Sequence, residues 1–299
     1  MERIWELVIS ELKKGNSYEA SEILTKKLSE LDTPDSIYFG IEKAKAFLDY
    51  GLNDTACNIS VFFIKKARKR RMALKTNTFE DIMDVLIENK TFPEKDRLIE
   101  STLSWCLDDE EKSREKILKL SYWSSKYYFD TGNYPRAQFF AFYTEDAVLY
   151  SKIIYEWTKL GYSSEKELFL LRAVLSLLSI GKLEFANELY DKYCDLIEGE
   201  PSPEWTHGSA PSAVMLAYYF IRACDGSDAN MSFSIFTSLI NEYPHIIQID
   251  KTFSDFIRDI KERYFPGKTL PHLKNSPSDS CNVLDSIEPR FKVKKTTQE

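Results

Sequence analysis

GNSYEA at residues 15–20 is the first of four segments in which a glycine is followed five residues later by an alanine. Each segment separates two stretches of helical hydrophobic periodicity. A glycine at the end of a helix accepts the left-handed conformation that closes it, and a small alanine early in the next helix permits close packing. The recurrence therefore predicts repeated helical hairpins. The other three segments are GLNDTA (51–56), GNYPRA (132–137) and GKLEFA (181–186).

The four segments are unevenly placed, with 36, 81 and 49 residues between successive glycines. Helical periodicity nevertheless continues from Ile4 to about Phe265, interrupted only by glycine, proline or short polar turns. No run of alternating apolar and polar residues predicts a strand in this region. We therefore expect an all-α fold, a right-handed TPR-like α-solenoid of helical hairpins with degenerate repeats.

Two parts of the chain depart from this pattern. The connection 198–212 is the longest without helical periodicity, and it is long enough to contain one short β-hairpin. Residues 271–299 are rich in proline, serine, asparagine and lysine, so we expect a flexible tail there.

Composition restricts the class of protein. The formal net charge of −7 over 299 residues argues against a general binder of nucleic acid or anionic membranes. The five cysteines are odd in number and include no C-x-x-C pair, which favours buried thiols in a reducing compartment. The longest apolar stretch, 168–180, contains Arg172 and is too short to span a membrane. The N-terminus does not resemble a signal peptide, so we expect a cytosolic protein without direct membrane insertion.

The order of features in the C-terminal half resembles the Golgi to ER traffic protein four family, a helical-repeat scaffold of the pathway that targets tail-anchored membrane proteins. In the N-terminal half, GNSYEASEIL (15–24) and KAFLDYGLNDTACNIS (45–60) resemble the first two repeats of the family. The resemblance covers about residues 3–271. The C-terminal segments that carry it are GYSSEKELFLLRAVLSLLSIGKLEFANELYDKY (161–193), CDGSDANMSFSIFTSLINEYP (224–244) and DKTFSDFIRDIKERYFPGKTLP (250–271).

This resemblance implies an adaptor with two protein partners. Residues 1–160 are expected to dock the targeting ATPase, and 161–270 to hold a ubiquitin-like co-chaperone, followed by the tail 271–299. Tyr18 and Glu19 match the first family motif and are implied in ATPase binding. Asn58 is implied in ATPase binding as well, although the family tends to carry an acidic residue at this position. The tail lacks the glycine-rich ending of the family.

A basic run, 65–75, places seven cationic side chains in eleven residues. One interpretation is a solvated helix end with favourable dipole interactions. A second is docking of an acidic partner surface, which would assign Lys65, Lys69 and Arg70 to the ATPase. A nuclear-targeting or nucleic-acid role is the third.

Aromatic residues mark the second predicted surface. Trp205 lies in the long connection, and apolar residues cover more than one face of the helix after it. Interior packing between repeats explains this pattern equally well, and the family resemblance favours a groove for a helix from the ubiquitin-like partner. The predicted contacts are Trp205, Leu216, Tyr219 and Phe220.

The sequence predicts no catalytic residues, no cofactor and no metal site. The three histidines are far apart and share no ligand spacing with cysteine or acid pairs. We therefore expect a non-enzymatic protein. The alternative is a helical-repeat subunit of another assembly, such as a proteasome-lid or signalosome-like complex.

Overall fold

A computed structural model describes residues 1–88, 93–162, 165–198 and 213–269. All regular secondary structure within these ranges is helical, which confirms the all-α prediction. The β-hairpin expected in the long connection, together with Trp205, and the tail 271–299 lie outside the described residues. A 3₁₀ helix, Lys45–Tyr50, accompanies the α-helices. These are α1 (Glu2–Lys13), α2 (Ser17–Leu31), α3 (Pro34–Ala44), α4 (Asn53–Lys69), α5 (Thr76–Glu88), α6 (Pro93–Leu107), α7 (Glu110–Asp130), α8 (Tyr134–Ala141), α9 (Ala147–Thr158), α10 (Lys166–Ser179), α11 (Leu183–Glu198), α12 (Ala213–Asp225), α13 (Ala229–Glu242), α14 (Pro244–Ile247) and α15 (Lys251–Tyr264).

The glycines of the four recurrent segments close the helices before them. Gly15, Gly51, Gly132 and Gly181 have φ values of 82°, 73°, 75° and 85°. Each glycine N–H donates to the carbonyl three residues back, and the next N–H donates to the carbonyl five residues back, at 2.8–3.0 Å. This pair of bonds is the Schellman closure, in which glycine adopts the left-handed conformation without steric cost. The predicted role of the glycines is confirmed.

The alanine of each segment starts the hydrogen bonding of the next helix. Its N–H donates to the carbonyl of the residue directly after the glycine, at 2.9–3.0 Å. All four alanine side chains are 0% exposed, so each small side chain lies inside a packed contact. These alanines are Ala20, Ala56, Ala137 and Ala186.

The described chain forms two compact units, one of Met1–Ser124 and one that begins at Ser125. The boundary between them lies inside α7. The predicted halves 1–160 and 161–270 differ in the partner that each is expected to bind. The compact units do not test this division, which stays a prediction about function.

In the first unit, α4 lies among four other α-helices and the 3₁₀ helix. It contacts α2, α3, α5 and α6. Because its inner side meets several neighbours, more than half of its residues between Ala56 and Ala67 are buried. The buried residues are Ala56, Cys57, Ile59, Ser60, Val61, Phe63, Ile64 and Ala67. The residues left on the outer side therefore form one narrow stripe.

In the second unit, α10 is the central helix. It contacts α9, α11, α12 and α15, and it is buried all round from Leu170 to Ser179 except at Arg172. A helix that is apolar on every side must lie inside a bundle, so its sequence accounts for this position. The Arg172 guanidinium pairs with the carboxylate of Asp250, which also caps the N-terminus of α15.

Two more contacts fix neighbouring helices to α10. Arg263 near the end of α15 donates from Nε to the carbonyl of Ser179 at 3.1 Å. Glu167 in the first turn of α10 accepts a hydrogen bond from the backbone N–H of Ala213, the first residue of α12, at 2.6 Å. The start of α12 is therefore fixed by a side chain of α10.

Candidate protein-binding surfaces

The first turn of α2 projects the two residues of the first motif into solvent. Tyr18 is 77% exposed, and Glu19 is exposed as well. Ala20 follows with its side chain buried, because the Gly15 closure folds α2 back along α1. The α1–α2 hairpin therefore holds the backbone of this turn in place while the side chains of Tyr18 and Glu19 remain accessible to solvent. Docking of a partner protein requires this combination.

Glu19 also lines an open surface pocket of about 400 Å³ that sequence reasoning missed. Its acidic wall includes Glu11 of α1, whose carboxylate accepts hydrogen bonds from Lys14 Nζ at 2.6 Å and Asn16 Nδ2 at 2.7 Å. These hydrogen bonds, the one from Lys14 first, lower the pKa of Glu11. Lys26 and Lys27 of α2 also line the pocket, so charges of both signs surround it. Its lining residues are Glu11, Glu19, Glu22, Ile23, Lys26 and Lys27.

The outer side of α4 forms a second feature of this unit, which we call the α4 stripe: Asn58, Phe62, Lys65 and Lys69. Spacings of four, three and four residues place these side chains on one helical face, and all four are exposed. The Phe62 ring is 38% exposed, and the Lys66 ammonium lies 5.4 Å from its centroid. The stripe is therefore an exposed aromatic ring among cationic groups.

The basic run divides into engaged and free side chains. Arg68 binds the carboxylate of Asp108 through two hydrogen bonds, Nε–Oδ2 at 2.7 Å and Nη2–Oδ1 at 2.8 Å. Arg70 pairs with the carboxylate of Asp32 and donates to its carbonyl at 2.7 Å. Lys65 and Lys69 make no ion pair within the described residues. Arg70 thus supports the end of α2, and its predicted part in ATPase binding stays a prediction.

The Arg68–Asp108 pair has an electrostatic consequence. Hydrogen bonds from Arg68 hold the pKa of Asp108 below its ordinary value, and the same bonds raise the pKa of Arg68. Both groups are therefore charged at neutral pH, and this part of the run contributes little net positive charge. The positive charge available to a partner comes from Lys65 and Lys69 of the α4 stripe together with Lys66, Arg71 and Lys75, which form no ion pair within the described residues.

Helix α12 shows which residues of the second predicted surface solvent reaches. Leu216 and Phe220 are 0% exposed, and the Phe220 ring packs edge-on against Phe236 with centroids 5.6 Å apart. Their side chains belong to the core, so their predicted part in partner binding stays a prediction. Met215 and Tyr219 are the exposed apolar residues of this helix, at 39% and 37%.

Tyr219 belongs to a short row of tyrosines. Its ring centroid lies 5.8 Å from that of Tyr218, which lies 5.5 Å from Tyr190 of α11. Burial raises the pKa of Tyr190, so its hydroxyl stays protonated throughout the physiological range. The row fixes Tyr219 at an orientation in which about a third of its surface remains available.

Helix α13 presents an exposed apolar face that sequence reasoning missed. Met231 is 65% exposed and Ile235 is 38% exposed, one turn apart. No residue from Ala229 to Asn241 carries a charge. Exposed faces of surface helices normally carry charged residues, so this uncharged run was the available signal.

Metal binding and membrane insertion would each require structural features of their own. Among the residues that the structure describes, no three histidine, cysteine, aspartate or glutamate side chains are grouped as a metal ion would require. Nor does any helix of the described ranges have both the length and the apolar character needed to cross a membrane.

Comparison with known proteins adds an independent finding. Residues 32–275 match the family model described as Golgi to ER traffic protein 4. The Golgi to ER traffic protein 4 homolog of Oryzias latipes is 19% identical over 296 residues, covering 93% of this chain and 88% of that protein. The homolog of Homo sapiens is 19% identical over 264 residues, covering 85% and 77%.

The fold also resembles that of a solved structure. The crystal structure of C. therm. Get4 matches with a TM-score of 0.68 and 15% sequence identity, and the match covers 92% of each chain. The family resemblance seen in the sequence is thus confirmed, and the fold agrees with it.

Proposed function

This chain belongs to the Golgi to ER traffic protein 4 family, and we propose that it is a non-enzymatic cytosolic adaptor that bridges a ubiquitin-like co-chaperone to the targeting ATPase during delivery of tail-anchored membrane proteins to the ER. The family match over residues 32–275 is the observation that carries the proposal, because it includes both the α4 stripe and α12. A role in Golgi to ER traffic follows from the family itself.

The first part of the proposal concerns the ATPase. We assign its docking to Tyr18 and Glu19 of α2 and to the α4 stripe. Lys65 and Lys69 favour an acidic surface on the ATPase, and the exposed ring of Phe62 can enter an apolar recess between acidic groups. Such charges act mainly on the association rate, which then falls as salt is added. Arg70 contributes indirectly, by holding the end of α2.

The second part concerns the ubiquitin-like co-chaperone. Tyr219 is the proposed anchor on α12, because its ring is partly exposed and held by Tyr218. Leu216 and Phe220 support it from the core side of the helix. Trp205 is proposed as a further contact from the connection before α12.

Binding assays with the recombinant chain test the proposal directly. A ubiquitin-like co-chaperone and a tail-anchored-protein targeting ATPase of this pathway are offered separately and together. We expect each to be captured alone, and the three proteins to elute as one complex in size-exclusion chromatography. Failure to capture either partner would overturn the bridging function.

A pair of variants tests the assignment of the second surface. Tyr219→Ala removes the proposed anchor, whereas Tyr122→Ala removes an exposed tyrosine of the first unit that has no assigned role. We expect only the first variant to weaken binding of the co-chaperone, and neither to change binding of the ATPase. Equal affinities for the co-chaperone would remove Tyr219 from the site.

A further inference from the structure

The exposed face of α13 lacks the charged residues that solvent-exposed helix faces normally carry. Met231 and Ile235 lie one turn apart on it, with Ser234 and Ser238 exposed beside them. Charged residues occur only at its two ends. Before the helix, Asp225 pairs with Arg222 at 3.2 Å and Asp228 caps the helix N-terminus, so Glu242 at the last position is the carboxylate without an internal partner among the described residues. A partner for this face therefore needs an apolar centre with positive charge next to it.

The described part of the chain ends beside this same helix. After α15 the backbone turns at Gly267, whose φ is 77°. Lys268 then donates from Nζ to Oδ1 of Asn230 at 2.6 Å, and its ammonium lies 5.8 Å from the centroid of the Phe233 ring. The residues that follow Thr269 thus leave from the first turns of α13.

The sequence after Thr269 supplies a segment of the required chemistry. It contains four apolar residues within nine positions, followed by a cluster of basic residues. The apolar residues are Val283, Leu284, Ile287 and Phe291, and the basic residues are Arg290, Lys292, Lys294 and Lys295.

We propose that residues 283–295 of this chain bind the exposed face of α13. Val283, Leu284 and Ile287 cover Met231 and Ile235, and the basic cluster meets the carboxylate of Glu242 at the C-terminal end of the helix. The intervening residues 270–282 can span up to about 45 Å when extended. Helix α13, with 14 residues, is only about 21 Å long, so the segment reaches every part of it.

Methionine NMR on the full chain tests this contact. The chain has five methionines, so a sample labelled with ¹³C in the methionine methyl groups gives five signals, and Met231→Leu identifies the one from Met231. In the Leu284→Asp/Ile287→Asp variant, we expect the Met231 signal to shift and to broaden more strongly when a soluble paramagnetic agent is added. The signals of Met83 in the first unit and of Met215 on α12 in the second unit should keep their positions, and they report that the fold of each unit is intact.

A matched variant controls for the added charge. Thr296→Asp/Thr297→Asp introduces the same two carboxylates in the same part of the chain, beyond the proposed contact. We expect it to leave the Met231 signal where it is in the unaltered protein.

Three results would overturn the proposal. The Met231 signal could be identical in the unaltered chain and in Leu284→Asp/Ile287→Asp. Both double variants could shift it equally, which would indicate a general charge effect. The signal could instead move as the protein is diluted, which would show that a second copy covers the face. None of these readouts depends on the co-chaperone or the ATPase, so the contact stands or falls separately from the proposed function.

Discussion

The ring of Phe63 on α4 fills the space beside Gly40 on α3. A Cβ atom added to Gly40 would lie 2.3 Å from the nearest ring carbon, and the ring itself is 0% exposed. Glycine inside a helix normally costs about 1 kcal/mol relative to alanine. The presence of glycine at position 40 is explained by the close approach of α3 and α4. Only a hydrogen atom in place of a side chain leaves room for the Phe63 ring.

Gly40→Ala should destabilise the protein although alanine favours helix. Displacing a buried ring costs about 1–3 kcal/mol, against a gain of about 1 kcal/mol in helix propensity. We expect urea denaturation to show a lower free energy of unfolding, by about 1 kcal/mol. Adding Phe63→Leu should recover much of this loss relative to Phe63→Leu alone. Two simply additive substitutions would show that the ring and the methyl group do not compete.

Gly132→Ala tests the left-handed backbone conformation alone. Steric crowding does not contribute, because nothing lies within 4 Å of a Cβ atom added at this position. The left-handed φ of 75° should then cost about 1 kcal/mol for alanine and less for asparagine. Thermal unfolding should rank the proteins as glycine, asparagine, alanine from most to least stable. An alanine variant as stable as the unaltered chain would contradict this role of the glycine.

Arg172 and Asp250 should be strongly coupled. Both side chains are mostly buried, at 22% and 18% exposure, so removing one partner leaves a poorly solvated charge. Arg172→Met and Asp250→Asn should each lower the free energy of unfolding by about 3 kcal/mol. The double variant should lose less than the sum of the two. A double-mutant cycle from chemical denaturation measures this coupling, and a coupling energy near zero would exclude it.

The Arg68–Asp108 pair predicts that the free energy of unfolding decreases slightly at acidic pH. Because the pKa of Asp108 is lowered in the folded state, its stabilisation is complete above the unfolded pKa of about 4 and is lost as pH falls through the folded value. Both side chains are more than a third exposed, so the effect should be only about 0.5 kcal/mol. Asp108→Asn should remove this part of the acid dependence. Comparing urea midpoints of the variant and the parent from pH 6 to pH 2 tests this, and parallel curves would contradict it.

Lys65→Glu/Lys69→Glu and Arg70→Glu should behave differently, since the lysines are free and the arginine pairs with Asp32. We expect the lysine variant to slow association with the ATPase and to reduce its salt dependence. Its stability should fall by less than about 1 kcal/mol, because Lys69 lies in the last turn of α4. Arg70→Glu should mainly lower stability. Stopped-flow binding at several salt concentrations separates the two effects, and an unchanged association rate for the lysine variant would remove the α4 stripe from the docking site.

Local signals explain why the helical fold could be predicted from the sequence. The closure at Gly132 depends on glycine's access to positive φ, and the burial of Ala137 depends on its size. Both properties belong to single residues and can be read without knowing the packing. Phe63 shows the limit of this approach, because its contact with Gly40 depends on how α3 and α4 meet.

The binding surfaces were less accessible to sequence reasoning, because exposure depends on which neighbours cover each helix face. Leu216 and Tyr219 lie three residues apart on one aromatic helix, yet one is in the core and the other faces solvent. Arg70 and Lys69 are adjacent and carry the same positive charge, but only the arginine meets an internal carboxylate. Composition could identify these helices as unusual and could not assign their individual side chains.

The hydrogen bond from the Ala213 N–H to Glu167 has a practical consequence for protein engineering. The first residue of α12 is held by α10, so we expect its position to tolerate changes in the length of the connection that precedes it. Insertion of an epitope tag or a fluorophore-accepting peptide within 199–212 should leave the register of α12, and therefore Tyr219, unchanged. The chain thus offers a labelling position next to the proposed co-chaperone surface.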